Sequence, residues 1–307
     1  MGVREAVAGK IGMDELLTTR QVAAELQVSE SSVKRWCDLG LIPTQRTAGG
    51  HRRILRGGLR EFLATSAAKS DALTAKDFVA PAPALQVSEA VEGYSTTSRH
   101  ELVQRFQQAL IAGDEPLCRE LFERWTTQFR GVAQLGDALI SGALERIGRL
   151  WECGRAEVFE ERRSCEICAR LLNDLRHQVA VPQPNAPRAI GGTLSGDHYA
   201  LASQLVELVL REAGWNANNL GGNLPLDTLL AAVRRERPRL LWLSISHVPD
   251  HESFIANYNA FYSSLPANLV VAVGGQALTD QLRPRIGYTA HCDNLEQLSA
   301  LAQVFLK

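Results

Sequence analysis

Lys34, Arg35, Arg46, Arg52, Arg53, Arg56 and Arg60 fall within residues 31–60, where Asp38 is the only acid, an excess of six positive charges. Clustered cations of this kind neutralise phosphates and release counterions, which is the main source of affinity for DNA. The whole chain of 307 residues carries 33 Lys plus Arg against 34 Asp plus Glu, a net charge of -1. The residues outside that window are therefore net -7. A balanced total would argue against a nucleic-acid partner, but the uneven distribution removes that argument. A charge run also suits a plain solvated face, so the surrounding elements must decide.

Other side chains invite chemistry more weakly. Cys165 and Cys168 are three apart with Cys153 nearby, but a structural zinc site needs further ligands at suitable spacing, and the buried pair of small side chains is preferred. Six irregularly spaced cysteines do not make a secreted disulfide framework. His247 and His251 are four apart with Asp250 between them; a polar loop accounts for them better than a metal site. His198 is a lone histidine behind Gly196-Asp197. Trp151 and Glu161 flank a helical corner, where residue type alone suggests a core aromatic and a solvated acid.

The basic cluster sits on a recognisable local pattern. Thr18 or Thr19 can cap a helix over 20–26, with Val22, Ala23 and Leu26 on one face. Gln27-Val28 turns the chain, Ser29 caps a second helix over 30–38, and Gly40 ends it. Two short helices across a tight turn form a helix-turn-helix, whose second helix enters the major groove. Ser31, Ser32, Lys34 and Arg35 are the expected DNA-facing residues there. Gly49-Gly50 then predicts a hairpin, a basic wing that brings Arg46, Thr47, His51, Arg52 and Arg53 to phosphate or a minor groove. A helix over 56–67 closes a domain at 14–68.

Residues 69–97, rich in Ala, Ser and Pro, predict a linker. Four helices over about 98–112, 114–129, 132–151 and 157–179 predict a bundle at 98–181. From 188 to 307 strands at 189–194, 215–220, 239–246, 269–273 and 286–290 alternate with five helices, including one after Gly274-Gly275. That alternation predicts an α/β, flavodoxin-like, doubly wound parallel sheet, with ligands beyond the carboxyl ends of its strands. The fold class is thus multidomain: an α winged helix-turn-helix, a four-helix bundle and the α/β sheet. Hydrophobic content of 45% and charged content of 22% exclude wholesale disorder. No apolar run is long enough for a membrane helix, and residues 1–17 lack a signal-peptide core, so no membrane partner and a cytoplasmic location are expected.

Residues 18–64, with TTRQVAAELQVSESSVKRW and GLIPTQRTAGGHRRI, resemble the winged-helix domain of MerR-type and excisionase-type regulators. Residues 98–307 resemble the cobalamin-binding module, and the combination is similar to the light-sensing, cobalamin-dependent MerR-type repressors of carotenoid synthesis. The resemblance implies a sequence-specific transcription regulator, not an enzyme, that binds a double-stranded operator as a homo-oligomer. It implies adenosylcobalamin as ligand, with light cleaving its cobalt–carbon bond and releasing DNA. Trp151 would cover the upper corrin face, Glu161 would bond the adenosyl group, and His198 would be the lower axial cobalt ligand. Ser244, Gly274 and Gly275 match the places where the nucleotide tail passes. Departures accompany the matches: Arg162 stands where the family has His, Glu152 follows Trp151 where some relatives have His, Gly196 replaces an Asp, Leu201 replaces a Gly, and Ser246 stands in place of a Leu. Arg162 in a former cofactor cavity would suit a carboxylate or phosphate. The alternative reading is therefore a regulator whose degenerate cobalamin fold binds another ligand or serves assembly alone. A corrinoid methyl-carrier is a third, disfavoured by the DNA module.

Overall fold

The structure, a computed structural model, describes residues 16–46, 52–71, 96–126 and 128–306. The DNA module opens with β1 (Leu16–Leu17), α1 (Thr19–Leu26) and α2 (Glu30–Asp38), followed by β2 (Thr44–Arg46), β3 (Arg52–Leu55) and α3 (Arg56–Asp71). Thr18 forms a capping box with Gln21, and the Ser29 hydroxyl accepts from Ser32 N, so both helix starts follow from the expected side chains. The wing strands pair antiparallel, and β1 adds to make a three-stranded sheet in the order β1-β3-β2. The wing tip, with Thr47 and His51, lies outside the described residues, as does most of the expected linker, 72–95.

The bundle comprises α4 (Thr96–Ala112), α5 (Glu115–Thr126), α6 (Val132–Leu135), α7 (Gly142–Glu152) and α8 (Val158–Gln178). The single helix expected over 132–151 is interrupted by a π-helical turn, Gly136–Ser141. Such a turn inserts an extra residue and re-aims the side chains around it. Here it delivers Asp137, whose carboxylate accepts from Leu295 N and Glu296 N, both at 3.0 Å. Burial raises the Asp137 pKa, and the two backbone donors partly offset that rise. In the reverse direction Glu212 of the α/β domain accepts from Val132 N at 2.9 Å. Two carboxylates thus cross the joint in opposite senses, each on the N-terminus of a helix of the other domain.

The α/β domain runs β4 (Arg188–Thr193), α9 (Leu201–Glu212), β5 (Asn216–Asn219), α10 (Leu226–Glu236), β6 (Leu240–Ser244), α11 (His251–Ser263), β7 (Val270–Gly274), β8 (Ala290–His291) and α12 (Leu295–Leu306). The sheet is parallel throughout, in the order β5-β4-β6-β7-β8, as flavodoxin-like winding requires. Two expectations fail between β7 and β8. The helix after Gly274-Gly275 is absent, and the segment is a turn followed by a short 3-10 stretch, Arg283–Arg285. Leu278 and Leu282 mimic a helical face, yet both are buried as anchors of an irregular strap, and Ala277 N bonds Ile245 O. The fifth strand is 290–291 rather than 286–290, because Ile286 and Tyr288 alternate like a strand but are buried with the α10–α11 layer.

Candidate functional sites at the recognition helix and the sheet's carboxyl end

The recognition helix does not face solvent as expected. Ser32 is buried, and its hydroxyl accepts from His291 N and donates to His291 O, both at 2.8 Å. The Ser29 hydroxyl reaches the same carbonyl at 2.7 Å. β8 is a sheet edge, and alternate backbone groups along an edge strand point away from the sheet without a ladder partner. One serine side chain on α2 satisfies both exposed groups of His291 as a sixth strand would. Arg35 adds a bond from Nε to Tyr288 O at 2.9 Å, with its guanidinium carbon 5.3 Å from the Tyr288 ring centroid. Behind these contacts Trp36 meets Phe62 at 5.2 Å and Phe305 of α12 at 5.9 Å. Ser32 and Arg35 are thus held by the α/β domain, a contact spanning more than 250 residues that no local spacing announces.

Lys34 is exposed and Ser31 partly so. Lys34, Arg52 and Arg53 line a crevice of about 480 Å3 with Thr18, Thr19, Arg20 and Glu30. Arg20 and the start of α1 belong to this basic crevice, although only their position at a helix N-terminus could have signalled it. Acids temper the cluster. Lys34 pairs with Glu30 at 3.1 Å, Arg52 with Asp38 at 2.8 Å and Arg56 with Glu25 at 3.1 Å. Hydrogen bonding from Thr19, then from Lys34, holds Glu30 below the usual carboxylate range.

The second site lies where α8 meets the loop after β4. Trp151, in the last turn of α7, is 51% exposed, and a Glu157–Glu160 capping box starts α8 with Val158 and Phe159 also exposed. Trp151 is therefore not a core aromatic. Glu161 is half-buried, accepts weakly from the Cys165 thiol and pairs with Arg162 at 3.7 Å. Burial pushes Cys165 up to about 11 and raises Cys168 as well, so both stay protonated thiols. Arg162 reaches across to the loop after β4, its guanidinium carbon 5.6 Å from the Tyr199 ring centroid. This contact brings the start of α8 to the loop that carries His198, which is exposed.

Beneath His198 the loop is fastened. The buried Asp197 carboxylate accepts from Tyr199 N at 3.0 Å, Ser246 N at 2.5 Å and His247 N at 3.2 Å. It is committed to those three amides. Ser244 is buried at the end of β6, beside Gly274 in register. The Gly275 Cα is pressed onto the Ile245 backbone, and a Cβ on Gly274 would touch the Cys292 carbonyl. Their lack of side chains is explained by packing within the chain, not by an approaching ligand. Asp250 caps α11 through Glu252 N and Ser253 N, which supports the polar-loop reading of His247 and His251.

Residues 16–67 match the family model of a helix-turn-helix domain, and residues 102–175 match that of a B12 binding domain. The chain therefore joins a DNA-binding reader to a B12 binding domain, the makeup of a cobalamin-sensing transcription regulator. Along nearly its full length it is similar to the HTH-type transcriptional repressor CarA of Myxococcus xanthus, with 23% identity covering 93% of this chain and 96% of that protein. It is also 20% identical to dimethylamine corrinoid protein 1 of Methanosarcina acetivorans, over 68% of this chain and 99% of the relative. The fold is shared with the monomethylamine corrinoid protein of Methanosarcina barkeri, at a TM-score of 0.57 and 16% identity, over 67% of this chain and 98% of that one. The match to the B12 binding domain supports cobalamin binding. An open Trp151, the Glu161 carboxylate and an exposed His198 are residue types that suit a corrin. Beneath His198 the Asp197 and glycine contacts are already satisfied within the chain.

Proposed function

We propose that this protein is a cobalamin-responsive, sequence-specific DNA-binding regulator whose described state is closed to DNA. The observation that carries the closed state is Ser32 of the recognition helix bonded twice to the edge of β8. Ser32 and Arg35 cannot serve β8 and a major groove at once, so DNA and the α/β domain compete for one helix face. Trp151, Glu161 and His198 would hold the corrinoid, with the His198 imidazole available as a donor to its cobalt. Adenosylcobalamin supplies a light-cleavable cobalt–carbon bond when bound. Any ligand that favours the released form of α2 over the closed form raises DNA affinity by the ratio of its affinities for the two forms. A homo-oligomer on a symmetric operator and a cytoplasmic location complete the reading, with no catalytic step.

Purified protein titrated with DNA of its own promoter region, with and without adenosylcobalamin in the dark, tests this. Tighter binding with the ligand, reversed by illumination, is the expected result. DNA affinity indifferent to ligand and light would refute regulation by cobalamin. A second reading, in which the module serves another ligand or assembly alone, draws on the Arg162–Tyr199 contact. His198→Ala separates the two: a corrinoid absorption spectrum that this change perturbs favours cobalamin.

A further inference from the structure

We infer that the α/β domain receives a corrinoid by its macrocycle alone, because the space below the His198 loop that a nucleotide tail needs is filled by Trp242 and sealed by the β5–α10 loop. This rests on the cobalamin reading above.

Leu240, Trp242 and Ser244 alternate along β6, so Trp242 lies directly below Ser244 on the side covered by α9. Its indole is 2% exposed. In register it faces Gly191 of β4, where a Cβ would overlap the Trp242 ring. The indole N–H donates to Ser203 Oγ of α9 at 2.9 Å, and Ser203 Oγ donates to Asn219 Oδ1 at 3.1 Å. The ring is thus pinned from α9 and β5 together, and its polar atom is satisfied where it lies.

Above the indole the chain closes the entrance. Thr193 N bonds Gly221 O at 3.2 Å, Leu224 N bonds Thr193 O at 2.9 Å, and Ser195 N bonds Leu224 O at 3.0 Å. Asn223 Oδ1 accepts from Gly196 N at 2.8 Å. A Cβ on Gly222 would press on Thr193 Oγ1. Asp197 secures the far side of the same loop to Ser246 and His247. Admitting a tail would require breaking this web and expelling a buried indole, whereas the corrin face above needs neither.

The test compares cobalamin with cobinamide, the same macrocycle without its nucleotide tail, on the full chain in the dark by absorbance titration. Cobalamin is expected to bind no more than about threefold tighter than cobinamide, since a tail left in water adds little affinity. A preference for cobalamin of about tenfold or more would overturn the inference while leaving the corrinoid reading intact. Retention of neither ligand would overturn both. Hydrogen exchange at Ser246 and His247 gives an independent readout: protection unchanged on cobalamin binding supports a sealed loop, and marked acceleration overturns it.

Discussion

The recognition helix and the His198 loop are opposites. α2 carries the residues meant for an outside partner, yet Ser32 is buried on β8 and Arg35 is bound to Tyr288. The loop after β4 presents its key residue openly, and it is the ground beneath that is closed, by Asp197, Asn223 and Trp242. In the first case another domain covers the surface; in the second the core itself occupies the space. Removing the cover breaks the Ser32 and Arg35 bonds and parts Trp36 and Phe62 from Phe305, while opening the core below His198 requires repacking within one domain. Residue type marks a site, but long-range neighbours set whether it is available.

Trp242→Ala probes the filled core and should have the largest effect. Truncating a buried aromatic costs about 3–5 kcal/mol, read as a lowered denaturant midpoint. A loss below about 1 kcal/mol would mean that the indole is not integral to the fold and would erase the contrast. Ser32→Ala tests the cover. It leaves the outward N–H of His291 without its partner, while the Ser29 hydroxyl still reaches the C=O, at a cost of about 1–3 kcal/mol to the closed form. Faster hydrogen exchange at His291, with the rest of the sheet still protected, is the expected signature. Acidification should act more gently on the same contact. Burial depresses the His291 pKa, opposed by Asp293 and aided by Arg283, so the folded form binds its proton more weakly than the unfolded chain. Stability is then full above the ordinary histidine pKa and is lost as pH falls from there through the depressed folded value. Exchange at His291 should therefore rise on acidification through that range, and a flat profile would detach the imidazole from the latch. His198→Ala should change stability by less than about 0.5 kcal/mol, as for an exposed side chain, while perturbing any corrinoid spectrum. A large unfolding effect would place His198 in the structural class of Trp242.

Much of the fold was legible because its signals are local. Ser29 is followed by a helix whose start it caps, Asp114 bonds Leu117 N, and the strand-and-helix alternation yields the observed parallel winding. The failures arise where distant packing overrides spacing. Leu278 and Leu282 read as a helix until the Ile245 backbone is seen to hold their strap. Gly275 reads as a site for ligand approach, but that same backbone occupies the space. At the candidate sites, chemistry-bearing residue types could be named from the sequence, including Lys34, Trp151 and His198. Their orientation could not. Ser32 was assigned to DNA from its helical position alone, and nothing in thirty residues of sequence shows a strand that arrives 259 positions later. Tyr199, Asn223 and Trp242 carried no signal at all, since an aromatic in a strand is ordinarily just core.

The Ser32–His291 contact also bears on how the protein behaves once α2 has left. The outward backbone groups of His291 would then be bare at the rim of a five-stranded sheet, and such rims promote strand-to-strand association between molecules. The helix that reads DNA therefore doubles as a guard against clumping. An active regulator needs either a new occupant for that rim or a short residence in the opened form, and mutations that free the reader too well should be found among poorly soluble variants.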